Sequence, residues 1–193
     1  MSVAVVQNEV RTRPSGWWGM WLLIATEASL FGVLVASYFY LRFRTQPWPP
    51  DGIPKPSALL PIVATAVLVL SSWPVAVAAG AARRRERGRM LAGLGVATVL
   101  AGIYVAVTAW ALMDSERDFG PSKDAYASIY YLLNGAHAAH VVVGILVNLF
   151  LLLRLAVANT RYRAIGVEVM ALYWHFVNAL VVVVLLTTLS PWL

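Results

Sequence analysis

The sequence of 193 residues contains no cysteine, which excludes disulfides, thiolate metal sites and thiol catalysis together. It is also poor in charge. Asp, Glu, Lys and Arg make up 12% of it, against roughly 25% in soluble domains. Internal repeats, low-complexity tracts and any stretch resembling a separate soluble domain are missing too. What fills the chain is apolar side chain, 60% of all residues, with a mean hydropathy of +0.72. Most of it has no water to face.

Five stretches are long enough to cross hydrocarbon, which takes about 20 apolar residues at roughly 1.5 Å each. They lie near Trp17–Leu41, Ala58–Ala82, Met90–Met113, Tyr126–Leu153 and Val167–Leu189. The fold class expected is therefore all-α: a polytopic membrane bundle of five transmembrane helices, with residues 17–193 as one domain. Residues 1–16 carry Glu9, Arg11 and Arg13 without an apolar core. They read as a cytoplasmic tail rather than a cleavable signal peptide, with the first span acting as an uncleaved insertion signal. The link Arg42–Ser57 holds Pro47, Pro49, Pro50, Pro54 and Pro56, which cannot continue a helix. Pro74 falls inside the second span and should kink it. Lipid tolerates such a kink only where neighbouring helices cover the freed backbone groups.

The net charge of +6 suggests nucleic acid until the charges are placed. With the N-terminus inside, Arg11, Arg13, Arg83, Arg84, Arg85, Arg87, Arg89, Arg154, Arg161 and Arg163 face the cytoplasm. Arg42, Arg44, Lys55, Arg117 and Lys123 then lie outside, so the 15 basic residues divide ten to five. That bias sets a cytoplasmic N-terminus and an outer C-terminus. The Arg83–Arg89 link is a topology determinant, and Arg83, Arg84 and Arg85 are candidate contacts for anionic lipid headgroups. Trp17, Trp18, Trp21, Trp48 and Trp192 mark the interfaces, where amphipathic rings prefer to sit. No nucleic-acid partner is expected.

Ionisable groups inside a span are costly, roughly 2.5–3.5 kcal/mol when charged at its centre, so each needs an explanation. Glu27 lies about 15 Å into the first helix by the helical rise. It reads either as a proton-exchanging or lipid-anchoring carboxyl, or as a neutral acid hydrogen-bonded to a neighbouring helix. In the fourth span Asn134, His137, His140, Gly144 and Asn148 fall within an arc of about 120°, a polar stripe facing protein. His137 and His140, at i and i+3, could both reach one metal. With no cysteine and no carboxylate cluster nearby, interhelical hydrogen bonds are the favoured role. In the fifth span Glu168, His175 and Asn178 share an arc of about 80°. Glu168 suits a helix N-terminus at the boundary, whereas His175 lies deeper and needs a partner.

Several segments together resemble subunit three of the haem–copper oxidases. Gly19-Met20-Trp21, Ala25-Thr26-Glu27-Ala28 and Tyr38-Phe39-Tyr40-Leu41-Arg42 are similar to that family's first core helix with its buried glutamate. Trp48-Pro49-Pro50-Asp51-Gly52-Ile53-Pro54 and Ser72-Trp73 follow at matching distances. Gly135-Ala136-His137-Ala138-Ala139-His140-Val141 resembles the signature Gly-Phe-His-Gly-Leu-His-Val. Glu168 with Tyr173-Trp174-His175-Phe176-Val177 resembles the closing motif. The order and spacing of these segments carry the likeness, and five spans match the family's shorter form. Asn178 stands where an aspartate is usual, Ala109 and Leu112 where a glutamine and a glutamate are, and Ala138 where the signature has glycine.

The resemblance implies a non-catalytic accessory subunit of a respiratory oxidase in aerobic electron transport, part of a translocase complex. Haem and copper would lie in partner subunits, with no cofactor or metal on this chain. The partners implied are catalytic subunit one, subunit two and phospholipid, in the plasma membrane. Glu27, His137, His140, Glu168 and His175 carry over as interhelical or lipid-facing polar sites, with Asn178 beside them. Two alternatives stay open: an accessory subunit of a nitric oxide reductase, and a haem b protein using the histidines of spans four and five. A small transporter using Glu27 is disfavoured by the missing inverted repeat.

Overall fold

A computed structural model of the chain describes residues 15–53, 58–157 and 160–192, side chains 161–163 and 192 excepted. Arg11, Arg13, Pro54, Lys55 and Pro56 lie outside the described residues, as do the side chains of Arg161, Arg163 and Trp192. Among the described residues six α-helices and a closing 3-10 turn form in order: α1 (Ser15–Arg44), α2 (Leu59–Leu70), α3 (Ser72–Arg84), α4 (Arg87–Ser115), α5 (Ala125–Val157), α6 (Arg161–Leu189) and η1 (Ser190–Trp192). Among the described residues there is no strand. Five apolar helical units are long enough to span a bilayer, with α2 and α3 together making the second, Leu59–Arg84. Lipid supplies no partner for a backbone N–H or C=O, so a spanning segment satisfies its own ladder by becoming helix.

The break between α2 and α3 falls at Ser71, three residues before Pro74. Proline has no N–H to give and its ring crowds the preceding turn. α6 covers the break. Trp174 Nε1 donates to Ser71 Oγ at 2.8 Å, and Asn178 Nδ2 donates to Leu68 O at 3.1 Å and to Ser72 Oγ at 2.6 Å. On the other side α4 approaches closely at Gly93, where a Cβ would run into the Pro74 carbonyl and stand 2.9 Å from Ala78 Cβ. Glycine is required there by space, not by backbone angle.

α6 is the central post of the bundle, packed against α1, α2, α3 and α5. Of its apolar window 44% is buried, against 11% for α1, which leans chiefly on α5 and α6. α1 is the edge helix. Its buried side is Phe31 and Tyr38, packed with Ile129, Leu133, Leu180 and Val184. Around α3, α4, α5 and α6 a larger core runs through Leu68, Val75, Leu94, Val141, Tyr173 and Trp174.

Two loops close one end. Trp48 packs edge-on against Tyr38 and Tyr126, and Ile53, Phe119 and Tyr126 form a small buried cluster beneath. Arg42 donates to Ser190 Oγ at 2.8 Å and ties the end of α1 to η1. At the opposite end Arg87 donates to Ala156 O, joining the α3–α4 link to the end of α5.

Candidate functional site

Seven side chains with polar groups inside the spans gather in one layer about halfway along the helices. Glu27 comes from the middle of α1, His137 and His140 from α5, Tyr104 from α4, and Tyr173, Trp174 and Asn178 from α6. Each is there because helical spacing turns it away from lipid. Of the α5 stripe, His137, Gly144 and Asn148 are buried, while Asn134 and His140 are half-buried.

His137 is fully buried and both ring nitrogens are engaged. Nε2 lies 3.1 Å from Val177 O and Nδ1 lies 2.9 Å from the Tyr104 hydroxyl. A carbonyl only accepts, so the proton is on Nε2, and Nδ1 accepts from Tyr104. In the neutral ring these two contacts fix the tautomer.

His140 is built the other way round. Its Nδ1 lies 2.7 Å from Ala136 O and therefore donates, and its Nε2 lies 2.6 Å from Glu27 Oε2. One further proton sits between Nε2 and the carboxyl, whichever atom it favours. The pair as a whole is neutral in both forms: acid with imidazole, or carboxylate with imidazolium. The side chains retain 20% and 23% exposure, so this is the member of the layer that opens toward the membrane face. Phe31 packs edge-on against the His140 ring at 5.1 Å, and Tyr173 donates its hydroxyl to His140 O at 3.0 Å.

Next to this pair, an apolar groove of about 220 Å³ runs between α1 and α6. Ala28, Phe31, Gly32 and Val35 line one wall, and Leu180, Val183 and Val184 the other. A smaller cavity of about 50 Å³ lies between α2, α4, α5 and α6, with Thr65, Tyr104, Thr108, Tyr130, Asn134 and Thr188 on its walls.

The remaining expected positions separate. Glu168 pairs with Arg83 at 3.6 Å at the arginine-rich end. Asn178 is buried at the α2–α3 break. His175, expected deeper in its span than Glu168 and in need of a partner, has its side chain exposed on the outer surface, away from the buried Asn178. Three residues turn a helix by about 300°, so His175 stands about 60° round from Asn178, enough to carry it across the edge of the buried face. It also faces away from the layer that holds His137 and His140. With those rings committed to Tyr104, Val177, Ala136 and Glu27, the three histidines do not form a pair of axial ligands. Among the described residues no three His, Asp or Glu side chains converge as a metal site would require.

Sequence reasoning missed Tyr104, although it is the single tyrosine of its span, and missed Ser71 at the break. Asn148 is the unexplained member. It is fully buried, and neither amide atom has a hydrogen-bond partner among the described residues.

A family described as cytochrome c oxidase subunit III matches residues 8–192. The chain is 30% identical to cytochrome c oxidase subunit 3 of Synechocystis sp., over 86% of this chain and 71% of that one. It is 31% identical to the cytochrome bo(3) ubiquinol oxidase subunit 3 of Pseudomonas aeruginosa, over 83% of this chain and 77% of the relative. A protein of Aeropyrum pernix named heme-copper oxidase subunit I+III is also 31% identical, over 82% of this chain and 20% of its own length.

Proposed function

The chain belongs to the cytochrome c oxidase subunit III family, accessory subunits of haem–copper terminal oxidases, and from that premise we propose what its own residues do in such a complex. The chain is a five-span accessory subunit of the plasma membrane, its N-terminal tail in the cytoplasm and its C-terminus outside. It packs against catalytic subunit one, with subunit two nearby, and keeps that assembly durable while haem and copper do the redox work in the partners. The Aeropyrum pernix relative, whose name joins subunits I and III, supports placing subunit one beside it.

The observation that carries this reading is how the mid-membrane layer is satisfied. His137 and His140 have every ring nitrogen engaged within the chain, by Tyr104, Val177, Ala136 and Glu27. Groups so engaged hold helices together and do not wait for a substrate. Only the Glu27–His140 pair keeps partial exposure, and beside it the α1–α6 groove is lined throughout by apolar side chains. A phospholipid acyl chain is the ligand that fits such a groove. Arg84, next in the chain to the Arg83 that pairs with Glu168, is the side chain proposed to meet an anionic headgroup at the cytoplasmic side.

Purification in mild detergent tests the proposal. The chain should co-migrate with a haem–copper catalytic subunit, be colourless when separated from it, and retain phospholipid detectable by mass spectrometry. A chain that purifies alone with a Soret band would overturn it.

A further inference from the structure

We propose that the outer stripe of α6 centred on His175 is the docking face for a transmembrane helix of the catalytic subunit, one that offers a hydrogen-bonding side chain to the imidazole. This rests on the reading of the chain as an accessory subunit held against a catalytic one.

His175 is the midpoint of the 29-residue α6, Arg161–Leu189, about 21 Å from either end at 1.5 Å per residue. Its side chain is exposed, and no hydrogen bond from the described residues reaches it. An imidazole facing hydrocarbon leaves a donor and an acceptor without partners, at a cost that membrane helices rarely bear. A lipid headgroup cannot meet it at that depth, and a histidine is too short to reach the interface as lysine and arginine do. The missing partner is therefore a polar side chain on another helix.

The residues around His175 give that helix a track to follow. Glu168, Leu172, His175, Ala179, Val182 and Leu186 succeed one another at alternating spacings of four and three and form one line on the surface. Such a 3.5-residue repeat is what a packed helix follows along its neighbour. Ala179 lies one turn beyond the imidazole and is exposed. A small side chain there lets a second backbone approach within hydrogen-bonding reach. Leu172, on the turn before, is half-buried and offers apolar contact without standing fully out from the surface. Val182 and Leu186 continue the line as exposed apolar contacts, and Glu168 ends it, already neutralised by Arg83. A partner with one polar group level with His175 and apolar residues above and below it is complementary to this line. A carboxyl, hydroxyl or amide would serve.

The test uses the whole complex. Ala179→Leu, exposed and therefore harmless to the fold of this chain, should lower retention of the subunit on the catalytic subunit through a detergent wash. His175→Leu should also weaken retention, about three- to tenfold, with His175→Gln recovering most of it. Val99→Leu, exposed on α4, serves as the off-stripe control and should match the unaltered chain. A photo-crosslinking residue at position 175 should capture the catalytic subunit. Crosslinks to lipid alone or to a second copy of this chain, or stripe variants retained as well as the control, overturn the docking face and leave the accessory function standing. An unaltered chain that fails to co-purify overturns the accessory function itself.

Discussion

Glu27 Oε2 and His140 Nε2 lie 2.6 Å apart, and the opposite nitrogen of the same ring is held by Ala136 O. That second contact decides what the first can be. Since Nδ1 must keep its proton to serve a carbonyl, Nε2 is met by either an acid or a carboxylate, with one proton between them. A glutamine amide can donate to a neutral Nε2 in the same place. Glu27→Gln should therefore leave assembly intact, whereas Glu27→Leu strands a half-buried nitrogen and should cost about 1–3 kcal/mol. Thermal inactivation of the purified complex separates the two variants. Equal losses would show that the charge, and not the hydrogen bond, matters.

Tyr104 supplies the donor that His137 Nδ1 needs in a fully buried position. Tyr104→Phe keeps the ring packing and deletes only the hydroxyl. The expected loss is about 1–3 kcal/mol, the cost of leaving a buried acceptor without a partner. It should show as a lower unfolding midpoint of the subunit in detergent. An unchanged midpoint would mean that His137 finds another donor.

The architecture was legible in the sequence because lipid imposes it: five apolar runs of sufficient length leave the backbone no alternative to helix. The α5 stripe was legible for a similar reason, since a step of about 100° per residue places Asn134, His137, His140, Gly144 and Asn148 on one face. What periodicity could not give was partnership across helices. Glu27 and His140 are 113 residues apart in the chain, and only the packing of α1 on α5 brings them together. His175 shows the other limit. An arc of about 80° for Glu168, His175 and Asn178 is narrow on a helical wheel, yet the edge of the buried face passes through it. How much of α6 is covered depends on where α1 and α3 lie, and no local pattern contains that.

The α2–α3 break makes Asn178 a structural donor. Its Nδ2 reaches Leu68 O and Ser72 Oγ from α6, holding the helix where Pro74 interrupts it. Asn178→Asp can accept from Ser72 but has no N–H for Leu68 O, and Asn178→Leu can do neither. The order of stability should be Asn, then Asp, then Leu, with the last step again about 1–3 kcal/mol. Amide exchange at the break should accelerate in the same order. Variants with identical exchange rates would remove the role assigned to this side chain.

Asn148 predicts a change of the opposite sign. It is fully buried in α5, and both its amide nitrogen and its amide oxygen lack partners among the described residues. One turn away, Gly144 packs directly on the Trp174 ring, and Leu151 lies against Gly166, so the surroundings are apolar and close. Burying an amide without hydrogen bonds costs about 1–3 kcal/mol by mutational measures. An apolar side chain with the same number and branching of heavy atoms removes that cost without opening a cavity. Asn148→Leu should raise the unfolding midpoint of the subunit, while Asn148→Ala, which leaves a void, should lower it. If Asn148→Leu instead destabilises the subunit, the amide is satisfied by a group beyond this chain's own side chains. Structural density at the amide in the assembled complex would then identify that group.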